Sequence, residues 1–355
     1  MKRIGILTSG GDCQGLNAAI RGISKAFYRE FDDAEIYGIL DGYYGLIYGK
    51  YKKMNPHDFS GILTLGGTIL GTSRQPFKLM RVIDETGIDK VSEMKKHYAE
   101  MGLDCLVVLG GNGTHKTANM LGKEGLNVIS LPKTIDNDIW GTDVSFGFQS
   151  ACDIATDVID RIHTTATSHG RIFIVEVMGH KVGWLNLYAG IAGGADVILI
   201  PEIPYNIDKV AATMLERNKK GKRFSIIAVA EGALSAEEAL MKKKEIKANR
   251  RGYPSVSYKI ADELSEKTHC EVRVTVPGHF QRGGAPCAYD RVLCTRLGAA
   301  AVELIKNEKY GYMVGIRNGE PVPVPLSEVA GRLKSVPLDS EIIKNARKIG
   351  ISFGD

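Results

Sequence analysis

Met1-Lys2-Arg3-Ile4-Gly5-Ile6-Leu7-Thr8-Ser9-Gly10-Gly11-Asp12-Cys13-Gln14-Gly15 opens the chain, and a stretch of helical character, Leu16 to Phe31, follows directly. The apolar run Ile4 to Leu7 is closed by paired glycines within a few residues. A strand buried on both faces lacks polar alternation, and a glycine loop leading from such a strand into a helix reads as a βα unit of a parallel sheet. Similar runs recur at Cys105 to Leu109, Val128 to Leu131, Ile172 to Val177, Val197 to Ile200 and Ser225 to Ala230, with helical stretches between them. The architecture is therefore α/β, and ligands are expected at the carboxyl ends of the strands. A helix is expected over Lys116 to Gly122 and another over Ala151 to Thr164. Phe146 to Gln149 reads as a crossover between lobes, and Leu338 to Asp355 as one helix with a short end.

With 355 residues, 44% hydrophobic and 25% charged, the chain is long enough for two lobes and a large core. The net charge of +5 is modest. Its basic runs, Asn218 to Arg223 and Met241 to Arg251, have no interleaved aromatic residues; they read as solvated faces rather than a nucleic-acid surface. Six scattered cysteines (Cys13, Cys105, Cys152, Cys270, Cys287, Cys294) form no CxxC pair, so neither a zinc site nor a disulfide framework is expected. No apolar run approaches the ~18 residues of a membrane span, and the glycine loop follows Met1 too closely for a signal peptide. A cytoplasmic protein with no membrane partner is expected.

A second glycine loop, Gly110-Gly111-Asn112-Gly113-Thr114, precedes Lys133-Thr134-Ile135-Asp136-Asn137-Asp138. Glycines admit phosphate oxygens to backbone N–H groups, and a following helix N-terminus favours anions, so two such loops point to a polyphosphate. In an extended segment Thr134, Asp136 and Asp138 share one face, with Lys133 and Asn137 on the other. Two carboxylates and a hydroxyl meet there. Asp136 suits a base that takes a proton from an attacking alcohol, and Asp138 suits a magnesium ligand. Arg74, Arg171, Arg273, His279 and Arg282 form a basic set matched to a phosphorylated substrate.

In order along the chain, GGDCQGLNAAIRG (10–22), GTSR (71–74), GGNGT (110–114), PKTIDND (132–138), EVMGHKVGW (176–184), AEGA (230–233) and GHFQRGG (278–284) resemble the 6-phosphofructokinases, over nearly the whole sequence. The resemblance implies two similar three-layer αβα lobes with mainly parallel sheets and an active site in the cleft between them. The larger, nucleotide-binding lobe would comprise 1–147 plus 281–331, and the smaller, sugar-phosphate-binding lobe 148–280 plus 332–355. It implies ATP-dependent phosphorylation of the C1 hydroxyl of fructose 6-phosphate with Mg2+, in glycolysis. Gly11, Arg74, Gly111, Asn112, Gly113 and Thr114 would hold the nucleotide, and Asn112 and Asp138 the metal. Asp136 matches the base, Thr134 and Lys133 its neighbours at the transferring phosphate, and Arg74 a group that stabilises developing charge. Met178, Gly179, Glu231 and Arg282 match sugar contacts. His279, Arg171 and Arg273 match the 6-phosphate site, the two arginines coming from a neighbouring subunit of a homo-oligomer, usually a tetramer. Arg21 and Lys25 resemble an allosteric effector site, and a basic helix face explains them equally well.

Four positions bear on the donor and on activity. Pyrophosphate-dependent relatives carry aspartate at the position of Gly113, which opposes the α-phosphate of a nucleotide; Lys133 is shared with those enzymes. The Gly113 and Lys133 combination resembles one ATP-using branch. Asn112 stands where the family usually has aspartate, and His180 where many bacterial ATP enzymes have arginine. A pyrophosphate-dependent enzyme, a weakly catalytic regulatory or metabolite-binding paralogue, and use of another sugar phosphate such as sedoheptulose 7-phosphate are the alternatives. His115 and Lys116 would sit at a helix start, either near phosphate or in solvent, and Trp140 and Trp184 read as packing residues.

Overall fold

Short runs of β-branched and aliphatic residues build most of the eleven strands in the computed structural model, which describes residues 1–83 and 87–355. They are β1 (Lys2–Ser9), β2 (Ala34–Ile39), β3 (Tyr51–Met54), β4 (Cys105–Gly110), β5 (Val128–Pro132), β6 (Ile172–Val177), β7 (Val197–Leu199), β8 (Ser225–Ala230), β9 (Val272–Thr275), β10 (Tyr312–Arg317) and β11 (Glu320–Pro325). The chain divides into two units, Met1–Ser150 with Arg282–Lys334, and Ala151–Gln281 with Ser335–Asp355. These divisions lie one to three residues beyond the expected 147, 280 and 331, and Lys334 thereby joins the first unit.

The first unit holds a seven-stranded sheet in the order β11-β10-β5-β4-β1-β2-β3. Its five central strands run parallel, while β3 and β11 pair antiparallel as edges. β4 and β5 are buried along their whole length, which accounts for sequences that are apolar throughout apart from Ser130. Helix Leu16–Glu30 crosses helix Ala288–Lys306 where Gly22 meets Gly298. A Cβ on Gly298 would lie 2.5 Å from the Ile23 nitrogen, so the two backbones approach too closely for any side chain there. Asp290 fixes the same helix pair to the chain before Ala151. Its buried carboxylate accepts from Gly147 N–H (3.0 Å), Ser150 N–H (2.9 Å) and Ser150 Oγ (2.6 Å).

The second unit holds a four-stranded parallel sheet, β7-β8-β6-β9. Its core gathers Ile174, Leu199, Ile227, Val229, Ile260 and Leu264. Helices run from Phe148 to His169 and from Glu341 to Lys348, the former longer at both ends than expected. Among the described residues no helix is long and apolar enough to cross a membrane. The basic run 241–251 includes a short helix, Lys243–Asn249, whose end is pinned by Arg250 on the buried Glu238. Trp140 departs from its expected packing role: it is 41% exposed, with the Arg332 guanidinium over its ring at 5.6 Å.

Candidate active site

Three neighbouring strands of the first unit end in one row, because the register pairs Ser9 with Gly110 and Gly110 with Pro132. The loops after β1, β4 and β5 therefore start at the same level, and together they line a cavity of about 340 Å³. Gly10 turns at φ 89° and donates its N–H to Ser73 O (3.0 Å), which draws the Arg74 loop in beside them. Asn112–Lys123 is helical from its first residue, with Gly111 as N-cap, four residues earlier than the expected start at Lys116. The helix N-terminus, with its unsatisfied N–H groups and partial positive charge, thus falls on the glycines themselves. His115 then reaches neither phosphate nor solvent. It is fully buried, Nδ1 lies 3.0 Å from Ser130 Oγ, and burial, aided by the nearby Lys133 charge, lowers its pKa to about 3.

Thr134, Asp136 and Asp138 all line the cavity, and so does Lys133, contrary to the expected division between two faces. The segment is not extended: Asn137 adopts φ 53°, and Thr134 Oγ1 accepts the Asp136 N–H at 3.1 Å, closing a tight turn. Asn137 does point away, its Oδ1 accepting from Ser145 N–H (3.0 Å) and from Lys334 Nζ (2.9 Å). Lys133 reaches back to donate to the Gly11 carbonyl, and burial pushes its ammonium below the ordinary lysine range. Arg282, at the same cavity, donates from Nη1 to Asp12 O at 3.1 Å. A Cβ on Gly11 would sit 2.7 Å from that Nη1, so glycine is what admits the guanidinium to the loop. Two cations thus fasten the first glycine loop.

Asn112 donates from Nδ2 to Asp138 Oδ2 at 2.7 Å, while its own Oδ1 is buried without a hydrogen-bond partner. An orphaned amide oxygen beside a carboxylate is an all-oxygen donor pair, the chemistry a hard divalent cation takes, so these residues fit magnesium. Gly113 is the opposite of Gly11: a Cβ there meets nothing within 4 Å, and its backbone is ordinary helix. The fold does not require glycine at that point, and its bareness keeps the cavity open.

In the second unit, His180 (φ 50°) donates its N–H to Glu231 Oε1 at 2.7 Å, and Met178 N–H donates to Gln281 Oε1 at 3.2 Å. Glu231 and His180 border a cavity of about 610 Å³, which Lys247 and Arg251 also line. Arg171 and Arg273 come together through Glu271, which pairs with both. Arg273 remains 57% exposed, and His279 is exposed on the turn Gly278–Arg282. Gln75, Pro76 and Phe77 line the first-unit cavity and were not anticipated; the proline two residues after the GTSR segment was the available sign of a turn bringing them there.

Glycine loops on a row of parallel strands, a helix N-terminus, paired carboxylates and converging cations define an α/β phosphoryl-transfer enzyme. The sequence profile described as Phosphofructokinase matches residues 3–305. The chain is 57% identical to the "ATP-dependent 6-phosphofructokinase" of Spirochaeta thermophila, covering 100% of this chain and 98% of that one. It is 49% identical to "ATP-dependent 6-phosphofructokinase 3" of Bacteroides thetaiotaomicron, over 99% and 100% of the two chains. It superposes on the T-state phosphofructokinase of Pichia pastoris with a TM-score of 0.79 and 35% identity, covering 92% of this chain and 35% of that one. A pyrophosphate-dependent phosphofructokinase of Nitrosospira multiformis shares the fold, with a TM-score of 0.82 at 20% identity over 96% and 88% of the two chains. The chain belongs to the phosphofructokinase family.

Two expectations follow. Gly113→Asp should leave the thermal midpoint unchanged, since the new side chain enters open space, and should raise the KM for ATP at least about tenfold by placing a carboxylate against the donor's phosphates; unchanged ATP kinetics would show that this position does not read the donor. His115 is neutral in the fold down to about pH 3, whereas an unfolded histidine takes its proton near 6.5. The unfolded state therefore binds more protons between those values, so the contribution is complete above 6.5 and is lost as pH falls. His115→Gln should flatten the acid side of the stability curve, measured by urea unfolding at about pH 7.5, 6 and 4.5.

Proposed function

We propose that this chain is an ATP-dependent 6-phosphofructokinase that transfers the γ-phosphoryl group of ATP to the C1 hydroxyl of fructose 6-phosphate, with Mg2+, in glycolysis. One observation carries the reading: Asp136 and Asp138 share a cavity with the N-terminus of helix Asn112–Lys123, at a level where Gly113 leaves the space free. Backbone N–H groups at Gly11 and from Gly111 to Thr114 hold the donor's phosphates. Phe77 and Pro76 give the same cavity an apolar border, a surface that suits a nucleoside and that pyrophosphate has no use for.

Asp136 accepts the proton of the C1 hydroxyl as it attacks, and Thr134 orients that carboxylate's turn. Arg74 stabilises the charge that develops on the transferring group, and Arg282, fastened to the first loop, contacts the sugar. Asp138 and Asn112 would hold the metal, which would supply positive charge against the phosphates. Lys133 is occupied with the Gly11 carbonyl and serves the loop whichever donor is present. Met178, Gly179 and Glu231 hold the sugar, and His279, Arg171 and Arg273 its phosphate. The two arginines act in a neighbouring subunit of a cytoplasmic homotetramer, in keeping with the exposure of Arg273 and of Phe280 (68%). Arg21 and Lys25 are candidate contacts for an effector phosphate.

The test is initial rates with fructose 6-phosphate and Mg2+, with ATP and pyrophosphate in parallel, on the wild type and Asp136→Ala. Turnover with ATP alone is expected, and turnover with pyrophosphate alone overturns the donor assignment. In the variant kcat should fall on the order of 10²–10⁴, with KM little changed. An unaltered kcat would remove Asp136 from the role of base.

A further inference from the structure

Lys334 lies 197 residues beyond Asn137 in sequence, yet its side chain ends inside the carboxylate turn. The ammonium donates to Asn137 Oδ1 (2.9 Å), Thr142 O (2.9 Å) and Asp143 O (2.9 Å). Those are three acceptors for the three protons an ammonium carries. The backbone joins in: Lys334 N–H donates to Asp138 O at 2.9 Å, and Leu333 forms an antiparallel bridge with Ile139. One short segment thus holds the turn by main chain and side chain together.

The turn needs such a holder. Asn137 sits in the left-handed region, a conformation that costs a non-glycine residue free energy and persists only where surroundings impose it. Asn137 is 4% exposed, and its carboxamide oxygen meets two carbonyl oxygens at one point. Three oxygen dipoles converging away from bulk water repel one another unless a cation or several donors sit among them. Some of the other bonds close the turn from within, Ser145 Oγ donating to Thr134 O (2.7 Å) and Ser145 N–H to Asn137 Oδ1 (3.0 Å). β10 and the residue after it hold its far end, through Asp143 N–H to Ile316 O (2.7 Å), Ile316 N–H to Thr142 Oγ1 (2.9 Å) and Asn318 N–H to Asp143 Oδ2 (2.8 Å). Lys334 brings a formal charge to the point where the Asn137, Thr142 and Asp143 oxygens meet, while the other charged donor to this segment, Arg317 Nε, reaches the Gly141 carbonyl at 3.4 Å.

We propose that Lys334 is a positioning residue of the active site: its ammonium fastens residues 137–143, and through that turn it sets where Asp136 and Asp138 stand. This rests on the reading of Asp136 and Asp138 as base and metal ligand. Lys334 is not among the residues that line the cavity shared by Asp136 and Asp138. With its three protons engaged by the turn, it acts on the reaction only through the carboxylates. It is also the last residue of the first unit, so the chain leaves that unit from the point where the turn is fastened.

Lys334→Met keeps the length of the side chain and removes its charge, and Lys334→Ala opens a space that propylammonium fits. In both, kcat should fall on the order of 10²-fold, the usual consequence of misplacing catalytic groups by about an ångström, with KM for fructose 6-phosphate and ATP within about threefold of wild type. Propylammonium should restore kcat of Lys334→Ala at least about tenfold, saturably, and propanol at the same concentration should not. Lys334→Arg should not restore it, since a planar guanidinium cannot direct donors at three converging oxygens as an ammonium does. Hydrogen exchange of amides 137–145 gives a readout that does not depend on turnover: protection should drop in Lys334→Ala and return with propylammonium. Native protection in Lys334→Ala overturns the fastening, and wild-type kcat in a folded Lys334→Met overturns the positioning role. If Lys334→Met does not fold, rescue of Lys334→Ala decides. A wild type that protects the turn but turns over neither donor faults the proposed function and leaves the fastening to the exchange data.

Discussion

Register between parallel strands is the constraint on which the rest of the first unit depends. β1, β4 and β5 are aligned so that Ser9, Gly110 and Pro132 lie in one row, and each of the three chemical segments leaves from that row. Slipping β4 by a single residue would move Leu109 to the level of Ser9, reverse the faces of its side chains and carry the second glycine loop one residue out of the row. The apolar sequences of these strands guard against such slips because both faces are packed. Core burial is thus what places the N-terminus of helix Asn112–Lys123 beside the turn that carries Asp136.

Charge in this site is arranged in two layers. Lys133, Arg282 and Lys334 spend their protons on backbone carbonyls and an amide oxygen of the unit itself. Burial pushes Lys334 down to about 8 against the pull of Asp143 and Asp138, and Lys133 falls for the same reason. These cations are costly to bury and are kept charged by what they hold. Lys133 and Arg282 line the cavity beside the carboxylates and Arg74, whereas Lys334 is not among its lining residues. A site that must bind an anion and still keep two carboxylates needs positive charge nearby, and attaching it to loops prevents it from neutralising those carboxylates outright.

Most of this was legible in the sequence, for definite reasons. Apolar runs such as Cys105 to Leu109 and Ile172 to Val177, the latter interrupted only by Glu176, signal parallel strands, and glycines soon after their ends signal loops. What lies far apart in sequence was not legible. Lys334 looks like any surface lysine in Gly331-Arg332-Leu333-Lys334, because nothing local says that three acceptors await it. Periodicity also failed at Lys133 to Asp138, where the two-residue alternation of an extended chain is broken by the left-handed Asn137. Asn tolerates that conformation better than most residues, so the asparagine itself was a sign of a turn. His115 was misjudged because the helix begins at Asn112, which rotates the side chain from the entry turn into the sheet.

Asn112 and Gly113 together explain how a site can lose a carboxylate without losing its design. An aspartate in place of Asn112 would stand at hydrogen-bond distance from Asp138, and two like charges there require a cation or a shared proton to coexist. The amide instead donates to Asp138, which orients that carboxylate. Less of the site's negative charge then opposes the incoming polyphosphate. Bare space at Gly113, one residue on, keeps the helix N-terminus available to the phosphates without a side chain in between. Both positions lower the negative charge at the helix end, so they act in one direction, toward accepting a larger and more highly charged donor at the N-terminus of a single helix.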